Sequence, residues 1–559
     1  MIREWVQRKK IDGRDASTNS GKRIGISKED QVCKRLKASG DESTMPEDDF
    51  STDLDIGSQD SVFEDKCADI LPSGAFAIGK TPILMEKRLE TKKMVGCIKD
   101  SVHGCIYLEP LCMAIIDTIQ FQRLRHLKQL GASNYVYMTA THSRFEHSIG
   151  VGHLAEKLLV QLLKDQPWLP ITEKDILCVK IAGHGPFSHV YDGIFMEQLR
   201  ERNRMLSSMD GWTHEQGSLD LLDYLIESNN IDLEQFGLAP IDYIFIREMI
   251  LGRPIESNQF CGRPHAQFLY QVVNNAKSGL DVDKLDYFLR DALYTGSKSA
   301  CDTQLILSAA RVLPDRETKE LTICWPEKLV EQLMKVFRTR FELHQSVYQH
   351  KARKYTLKNH QKVSRAIEYM ICDAFLEADA FLKIKDTRIS QAPLDMKAYQ
   401  SLDDRVLTQI ECSMDPKLMK SQAILRRIAE KPLYKCVGKT HITSYSMTKS
   451  IAQIKREIAS MAPQPLDIST LILEKNKVHY GEKERDPLEN IRFFKKAATI
   501  DATCYKLNPQ VYEMHCPRSF MELNLRLFVR DPLYATTARE AFEKWITRRN
   551  HSSLCPQES

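Results

Sequence analysis

The chain has 559 residues, of which 42% are hydrophobic and 28% are charged, as is ordinary for a globular protein with a large core. Lysine and arginine (79) nearly balance aspartate and glutamate (75), so the net charge of +4 creates no overall field that demands a nucleic-acid partner. The 15 cysteines contain no CxxC pair, which argues against a zinc ribbon and against a secreted disulfide framework.

The first part of the chain differs in composition from the rest. The segment DESTMPEDDFSTDLDIGSQD is acidic and has few large apolar residues to offset the entropy cost of ordering. We therefore expect residues 1–93 to be largely disordered. The start of the chain, MIREWVQRKK, contains no apolar run, so neither a signal peptide nor a membrane span is expected there.

From residue 94 to about residue 380, apolar side chains recur at helical spacing. The segment VGHLAEKLLVQLLKDQP places a broad apolar stripe on one helix face and stops at Pro167. The same pattern recurs in LDLLDYLIESNN, VDKLDYFLRDALY, KLVEQLMKVFRTRFELHQSVYQH and SRAIEYMICDAFLEAD. The sequence therefore predicts a mainly α body over residues 94–380.

After residue 380 the pattern is mixed. LDDRVLTQIE and KLMKSQAILRRIAE have helical periodicity, whereas PLDISTLILEK and RFFKKAATID are typical of strands. We expect residues 381–559 to form a smaller α+β C-terminal lobe.

Two of the helical segments carry stripes of polar side chains at i, i+4 and i+8, which place them on one helix face. The first stripe is Asp283, Tyr287 and Asp291 with Lys284 beside it, and the second is Arg340, His344 and Tyr348. An Arg-His-Tyr stripe suits an anionic ligand, because guanidinium binds phosphate oxygens bidentately and the other two side chains donate hydrogen bonds. A solvated or ion-paired helix face is the alternative for either stripe alone.

Six of the chain's 16 histidines lie within one stretch of about seventy-five residues of the predicted helical body. The cluster comprises His142, His147, His153, His184, His189 and His214. Asp192 follows His189 by three residues, a spacing that can orient an imidazole for general acid or base catalysis. No nucleophile elbow, Walker A loop or GxGxxG sequence occurs, so acyl transfer and P-loop chemistry are poor fits.

Taken together, these segments resemble the HD-domain deoxynucleoside triphosphate triphosphohydrolases, and in particular the vertebrate members that also carry a SAM domain. The matching motifs are SRFEHSIGVGHLA, HGPFSHVYDGIF, WTHEQGS, DVDKLDYFLRD and FQRLRHLKQLG, in the family's order. The similarity extends from Met94 to Asn550, whereas no SAM domain is evident before it. The resemblance implies a helical HD-type catalytic body that cuts a dNTP between its 5′ oxygen and α-phosphorus, releasing deoxynucleoside and triphosphate.

The resemblance also implies a role for each matching residue in catalysis. His147 and Asp283 match two of the four ligands of a catalytic Zn, Fe or Mn ion. The residues implied to face the reacting phosphate are His184, His189, Asp192 and His214. Among these, His189 is the general acid toward the 5′ oxygen and Asp192 orients it.

Further positions match contacts to the substrate. Those implied for the triphosphate and sugar are Arg144, Lys284, Tyr287, Asp291, Arg340, His344, Tyr348 and Gln349. Gln129 and Leu130 match residues beside the base and deoxyribose, and Mg²⁺ is expected on the nucleotide phosphates. A tyrosine and a carboxylate packed over the sugar would reject a 2′-hydroxyl.

The chain departs from the family at the pair that gives the HD domain its name. The family segment resembles GLCHDLGHGPFSH, whereas this chain reads KIAGHGPFSH, so about six residues with two metal ligands are absent between Gly183 and His184. We expect the metal site to be weakened or lost and metal-dependent hydrolysis to be slight or absent. Two interpretations stand: a splice form or gene-model record of an active enzyme, and a real product that binds nucleotide or nucleic acid, or co-assembles with active subunits, without hydrolysis.

Regulatory positions match only in part. Those implied to bind GTP, dGTP or dNTP effectors are Asp117, Gln122, Arg125, Lys328, His350 and Lys351. The family's lysine is replaced near Gly96, and arginines expected near Leu305 and Pro326 are missing, which predicts altered gating. The resemblance further implies a homotetramer, control of dNTP pools, antiviral defence, and a nuclear and also cytoplasmic location. It leaves single-stranded nucleic acid open as a ligand and implies no membrane partner.

Overall fold

The computed structural model describes residues 96–183, 194–201, 212–255, 258–348, 363–442, 449–495 and 502–554. The disorder expected for residues 1–93 falls outside these ranges. Among the described residues, no helix has the length and hydropathy needed to cross a membrane.

Helices make up most of the region in which the apolar periodicity predicts them. Up to residue 380 they are α1 (Pro110–Ile116), α2 (Ile119–Gln122), α3 (Arg144–Asp165), α4 (Glu173–Ala182), α5 (Met196–Glu201), α6 (His214–Ser228), α7 (Pro240–Leu251), α8 (Val282–Thr295), α9 (Thr303–Ala309), α10 (Val330–Leu343) and α11 (Val363–Ala378). A π-helical turn, His344–Tyr348, follows α10. The prediction of a mainly α protein is confirmed.

Beyond residue 380, helices and strands alternate. The helices are α12 (Met396–Tyr399), α13 (Val406–Glu411), α14 (Met419–Glu430), α15 (Ile451–Ser460) and α16 (Ala535–Leu554). The strands of the described residues, in chain order, are β1 (Gly96–Asp100), β2 (Gly104–Leu108), β3 (Arg311–Pro314), β4 (Leu321–Pro326), β5 (Lys383–Ile384), β6 (Thr387–Arg388), β7 (Lys435–His441), β8 (Leu471–His479), β9 (Arg492–Phe494) and β10 (Met521–Val529).

Helix α3 occupies the centre of the helical body, packed against α4, α8 and α9. It begins at a capping box, in which Ser143 accepts from the backbone of the first turn and Glu146 binds the N-cap amide. Its apolar stripe includes Leu154, Leu158 and Leu162, all buried in the main core. The helix ends just before Pro167, as the sequence predicts.

The strands form small sheets at the edges of the helical body. β1 and β2 make an antiparallel hairpin that the periodicity analysis did not predict. β4 pairs antiparallel with β3 and parallel with β9, so that Cys324 lies opposite Arg492. β10 lies between β7 and β8 in an antiparallel sheet that packs against α15 and α16. The division of the chain at residue 380 stays a prediction, and the β4–β9 pairing crosses that position.

A buried lysine ties the hairpin to three helices. The Lys180 ammonium on α4 lies 2.9 Å from Glu109 before α1 and 2.5 Å from Glu156 on α3. It also donates to the backbone carbonyl of Tyr107 in β2 (3.1 Å). Since its side chain is 0% exposed, the two carboxylates depend on it for their compensating charge.

We expect Lys180→Met to lower the free energy of unfolding by about 3–5 kcal/mol, because it leaves a buried carboxylate without its partner. Urea denaturation followed by circular dichroism measures this change. Lys277→Met is the matched control, because Lys277 and Glu320 form an exposed pair (63% and 47% exposed) worth at most about 1 kcal/mol. Equal losses in the two variants would contradict the anchoring role.

Candidate active site

Helix α8 carries most of the candidate site. It begins at Asp281, whose carboxylate accepts the N–H of Lys284, and it ends at Gly296 in the left-handed conformation (φ 66°). One face of the helix points into the body with Asp286 and Arg290, which are both 0% exposed. The neighbouring face presents the predicted stripe of Asp283, Tyr287 and Asp291.

A single buried carboxylate organises the centre of this region. Asp286 Oδ2 accepts from His147 Nδ1 (2.7 Å) and from Arg290 Nε (2.9 Å), and its Oδ1 accepts from His103 Nε2 (2.6 Å). Arg290 also donates to Asp100 in β1 (2.7 Å). Burial alone would raise the pKa of Asp286, but Arg290 and the two histidines lower it well below its usual range. The carboxylate is therefore charged, and it joins the hairpin, α3 and α8.

Helix α3 can approach this network only because position 150 is a glycine. A Cβ built on Gly150 would lie 2.2 Å from Asp286 Oδ1 and 2.4 Å from an Arg290 nitrogen. Both of those groups are buried, so neither has room to move away. The absence of a side chain at Gly150 thus sets the spacing of α3 and α8.

His147 and Asp283, the two residues that match metal ligands, lie in direct contact. His147 Nε2 is 3.1 Å from Asp283 Oδ1. Burial lowers the pKa of His147, but the two carboxylates on either side of the ring raise it to about 9 overall. The ring is thus held as an imidazolium between Asp283 and Asp286.

The donor set of the described residues falls short of a metal site. Catalytic zinc sites generally use three protein ligands, and the described residues contain no group of three His, Cys, Asp or Glu arranged for one. His147 and Asp283 supply two donors, and these are hydrogen-bonded to each other. The residues that would complete the site in the family are absent from the sequence at Gly183.

The sequence departs from the family at the C-terminal end of α4. A Cβ on Gly183 would meet the backbone of Gly152 at 2.8 Å, so α4 closes tightly on α3 at this glycine. Gly152 is adjacent to His153 and five residues from His147. The missing segment would therefore begin beside the two remaining metal-ligand candidates.

At the other end of the site, Asp291 is clamped by two side chains. Its Oδ1 lies 2.8 Å from His142 Nε2 and its Oδ2 accepts from the Tyr348 hydroxyl (2.5 Å). The His142 ring stacks on Tyr294 with centroids 4.4 Å apart. Burial and the adjacent Asp291 carboxylate hold the pKa of Tyr348 well above its usual value, so the phenol stays a donor.

The two predicted stripes meet between these ends. The Tyr287 ring lies 6.2 Å from that of His147, and the Tyr348 ring lies 4.9 Å from that of His344. Burial raises the pKa of Tyr287, against the nearby charges of Lys284 and Arg340. Arg340 donates to the backbone carbonyl of His479 in β8. The site thus gathers two tyrosines, two cations, a histidine and the clamped carboxylate. We name this set the α8–α10 cluster: Lys284, Tyr287, Asp291, Arg340, His344 and Tyr348.

The remaining described substrate-contact candidates lie on the loop before α3 and at the first residue of α3. Gln129 donates its N–H to the carbonyl of His142 (3.0 Å), and Arg144 donates its N–H to Leu127 (2.8 Å). Leu130 follows at the start of a 3₁₀ turn. The side-chain oxygen of Gln129 is buried and makes no hydrogen bond to a described residue. The loop is therefore held beside the Asp291 clamp, because Gln129 bonds to the backbone of His142, whose ring contacts Asp291.

Several predicted site residues cannot be placed. His184, His189, Asp192, Gln349, His350 and Lys351 lie outside the described residues. His214 begins α6 behind the N-cap Thr213, and its side chain is likewise not described. Their catalytic and allosteric roles stay predictions.

Three predicted effector residues, Asp117, Gln122 and Arg125, lie at or just after α1 and α2, whereas Lys328 lies just before α10. Asp117 and Gln122 line a cavity of about 850 Å³ that also includes Arg405. Arg125 donates to Gln122 (2.8 Å) and its guanidinium lies 3.5 Å from the Phe145 ring centroid. Lys328 lies in the 3₁₀ turn that leads into α10.

Sequence reasoning missed the residues that hold the site together. They are Asp100, His103, Asp286 and Arg290, with His142 recognised only as part of the histidine cluster. Asp286 and Arg290 are four residues apart on a predicted helix, which is a detectable ion-pair signal. His103 has no such local signal, because its partner lies 183 residues away.

Comparison with known proteins identifies the relatives of this chain. The human deoxynucleoside triphosphate triphosphohydrolase SAMHD1 is 39% identical over 498 residues, covering 84% of this chain and 75% of the relative. The mouse SAMHD1 is 34% identical, covering 93% and 88%. A SAMHD1 homolog from Dictyostelium discoideum is 34% identical, covering 83% and 82%. No family model matches the chain.

The chain belongs to the deoxynucleoside triphosphate triphosphohydrolase family. Its membership confirms the resemblance drawn from the motifs and places it among hydrolases. A putative HD domain-containing protein of Acanthamoeba polyphaga mimivirus, 28% identical over 382 residues, agrees with an HD-type body. Family membership implies metal dependence in general, which the donor set of the described residues does not meet.

We expect Gly150→Ala to destabilise the protein by about 2–4 kcal/mol, because the new methyl group has to displace the Asp286–Arg290 pair. Thermal and urea unfolding measure the loss. Gly104→Ala is the control, because a methyl group added there has no atom within 4 Å. Since φ is +76° at Gly104, the expected cost is that of backbone strain alone, about 1 kcal/mol. A Gly150→Ala protein as stable as the parent would refute the close approach.

We expect the protein to lose stability as the pH falls from 6.5 to 4, in part through His479. Burial and the charges of Arg340 and Lys483 lower the pKa of His479 to about 4, from 6.5 in the unfolded chain. Between these values the unfolded chain binds more protons, so the free energy of unfolding rises with pH. Urea unfolding across this range should show a shallower pH slope for His479→Gln than for the parent; identical slopes would contradict the assignment.

Proposed function

We propose that this chain binds a deoxynucleoside triphosphate in the α8–α10 cluster and hydrolyses it slowly or not at all. The observation that supports nucleotide binding is that the polar stripe of α8 and the polar stripe of α10 meet at one place. Arg340 and Lys284 bring positive charge, and Tyr287 stays protonated as a donor, whereas the Tyr348 proton is already donated to Asp291. This combination suits a polyphosphate attached to a sugar.

The proposed orientation follows from the two ends of the site. The triphosphate lies toward Arg340 and Lys284, near the His147–Asp283 pair. The sugar lies toward the clamp of Asp291 by Tyr348, and the base lies toward Gln129, whose side-chain oxygen can accept a hydrogen bond. A carboxylate and a phenol in contact leave little space for an additional hydroxyl, which favours deoxyribose over ribose.

The proposed loss of hydrolysis rests on ligand count and geometry. A catalytic metal would lower the pKa of its bound water to about 7 and so supply a nucleophile at neutral pH. Two of the family's ligands are missing here, so that His147 and Asp283, 3.1 Å apart, supply two donors where a catalytic zinc site generally has three. Even a second-shell change typically costs about 10–100-fold in metal affinity or activity, so a loss of at least about 100-fold is expected.

Without a full set of metal ligands, the proposed role of this chain's residues is to bind and orient the nucleotide. Asp286 fixes the ring of His147, Asp291 fixes Tyr348, and Arg340 faces the phosphates from α10. The general-acid role proposed for His189, with Asp192 as its orienter, supplies the proton for the departing 5′ oxygen only in a chain whose nucleophile is restored. Zn²⁺, Fe²⁺ or Mn²⁺ at the restored site, and Mg²⁺ on the nucleotide, belong to this proposal.

A second candidate function is that of a nucleotide-responsive partner for active subunits. The cavity lined by Asp117 and Gln122 favours it, because a guanine offers both donors and acceptors to such side chains. Under this proposal GTP or dGTP, with a dNTP near Lys328, His350 and Lys351, drives assembly of a tetramer. Control of dNTP pools, antiviral defence, a nuclear location and single-stranded nucleic-acid binding are proposed on the family alone.

Binding and hydrolysis can be tested separately. Calorimetry with a non-hydrolysable dNTP analogue should detect binding to the parent chain, with Arg340→Ala weakening it about 10–100-fold. Arg338→Ala is the matched control, since Arg338 is an exposed arginine on the same helix. Loss of binding in both variants alike, or in neither, would count against the proposed cluster.

For hydrolysis, insertion of Leu-Cys-His-Asp-Leu-Gly between Gly183 and His184 should raise metal-dependent triphosphate release at least about 100-fold over the parent. Inductively coupled plasma analysis of bound metal gives a readout that does not depend on turnover. A parent chain that already retains stoichiometric metal and releases triphosphate as fast as the inserted variant would falsify the proposed loss.

A further inference from the structure

The β1–β2 hairpin exposes one face that carries two cysteines. Alternation along the strands turns Ile106 and Leu108 inward, where both are 0% exposed. The outward side chains of the two strands are Cys97, Lys99, Cys105 and Tyr107, and all four are exposed. This is the solvent face of the hairpin, and none of its residues belongs to the α8–α10 cluster.

The two cysteines are diagonal neighbours on that face. Cys97 lies opposite Tyr107 and Lys99 lies opposite Cys105, so one step along each strand separates the thiols. Desolvation and the adjacent Cys105 thiol raise the pKa of the Cys97 thiol, which agrees with two side chains that lie close together. The right-handed twist of a two-stranded ribbon accounts for this, because it brings one pair of diagonal neighbours together.

We propose that Cys97 and Cys105 form a redox-modified site, a dithiol that closes to an intramolecular disulfide by exchange with a small-molecule disulfide. In the first step, the thiolate of one cysteine attacks a sulfur of the small disulfide, forming a mixed disulfide and releasing one small thiolate. In the second step, the other cysteine, as its thiolate, attacks the protein-bound sulfur and releases the second small thiolate. Two cysteine protons end on the two released thiols, and the two electrons of the dithiol reduce the small disulfide.

The geometry makes this disulfide reversible. Diagonal neighbours have Cα atoms about 7–8 Å apart, whereas disulfides usually join Cα atoms at about 5.5–6 Å. The twist already shortens this diagonal, so closing the bond requires a small shift of one strand along the other. Exposed disulfides that form against strain are the easily reduced ones, which is the behaviour of a regulatory bond and not of a structural one.

The movement has a direct route to the buried network. A three-residue turn joins the strands, and Asp100 at its start accepts the N–H groups of Val102 (2.7 Å) and His103 (2.8 Å). The same Asp100 binds Arg290, and His103 binds Asp286. A shift of one strand along the other changes the geometry of the turn, and the turn holds two of the contacts that position Asp286.

The remaining exposed thiols of the described residues provide the contrast. Cys261 and Cys412 are exposed, and among the described residues no contact joins Cys412 to another cysteine. Cys412 can form a mixed disulfide, but it has no neighbouring described thiol to resolve it. Cys97 and Cys105 thus differ from Cys412 because a second thiol can attack the mixed disulfide and close an intramolecular bond.

The test uses the full chain equilibrated in mixtures of reduced and oxidised glutathione, quenched and analysed by peptide mass spectrometry. We expect a Cys97–Cys105 linkage that forms and disappears with the glutathione ratio, while Cys412 carries only glutathione. In Cys97→Ser, Cys105 should accumulate as the glutathione adduct, and Cys105→Ser should show the converse. Hydrogen exchange of the peptide covering residues 96–108 should be about tenfold faster in the oxidised form at the turn amides, reflecting weaker bonds to Asp100.

Three outcomes would overturn the proposal. The first is glutathione adducts on both Cys97 and Cys105 of the parent chain with no linkage between them. The second is a linkage that resists reduction as a structural disulfide does. The third is unchanged hydrogen exchange of the turn in fully linked protein, which would remove the connection to the buried network. None of these readouts depends on nucleotide binding or hydrolysis.

Discussion

The carboxylate of Asp286 is the constraint on which the candidate site depends. It is fully buried, and it accepts hydrogen bonds from side chains of the hairpin turn and α3 as well as from its own helix. A buried charge of this kind is tolerated only when its partners are in place, because an unpaired one costs several kcal/mol. The three elements are therefore obliged to meet at one point, and the ring of His147 is oriented as a consequence.

The same constraint bears on the proposed nucleotide site and on the two metal-ligand candidates beside it. The residues of the α8–α10 cluster are positioned by Asp286, by the Asp291 clamp and by the packing of α8 against α3 and α10. None of these contacts involves the segment missing at Gly183. The two remaining metal-ligand candidates depend on Asp286 and on helix α8 as the cluster does, whereas the departure from the family lies at the end of α4.

The sequence could predict the helices and the polar stripes, because both depend on local periodicity. The stripes that begin at Asp283 and Arg340 are recognised by the i, i+4 spacing of their polar residues. The strands β8 and β9 are recognised by their strand-like composition in a region of mixed pattern. The hairpin and the role of His103 could not be predicted in the same way. Two strands of five residues carry little periodic signal, and the His103–Asp286 bond joins positions 183 residues apart, for which no local pattern exists.

The parallel pairing of β4 with β9 has a consequence for how the chain folds. Cys324 and Arg492 are opposite each other in this pair although about 170 residues separate them. During synthesis β4 is therefore made well before β9, the strand that pairs with it. At about 5–20 residues per second, that interval is roughly ten to thirty seconds. Throughout it, the edge of β4 offers unpaired backbone groups to any other strand, which makes this short sheet the natural place for nascent chains to associate wrongly and for a chaperone to act.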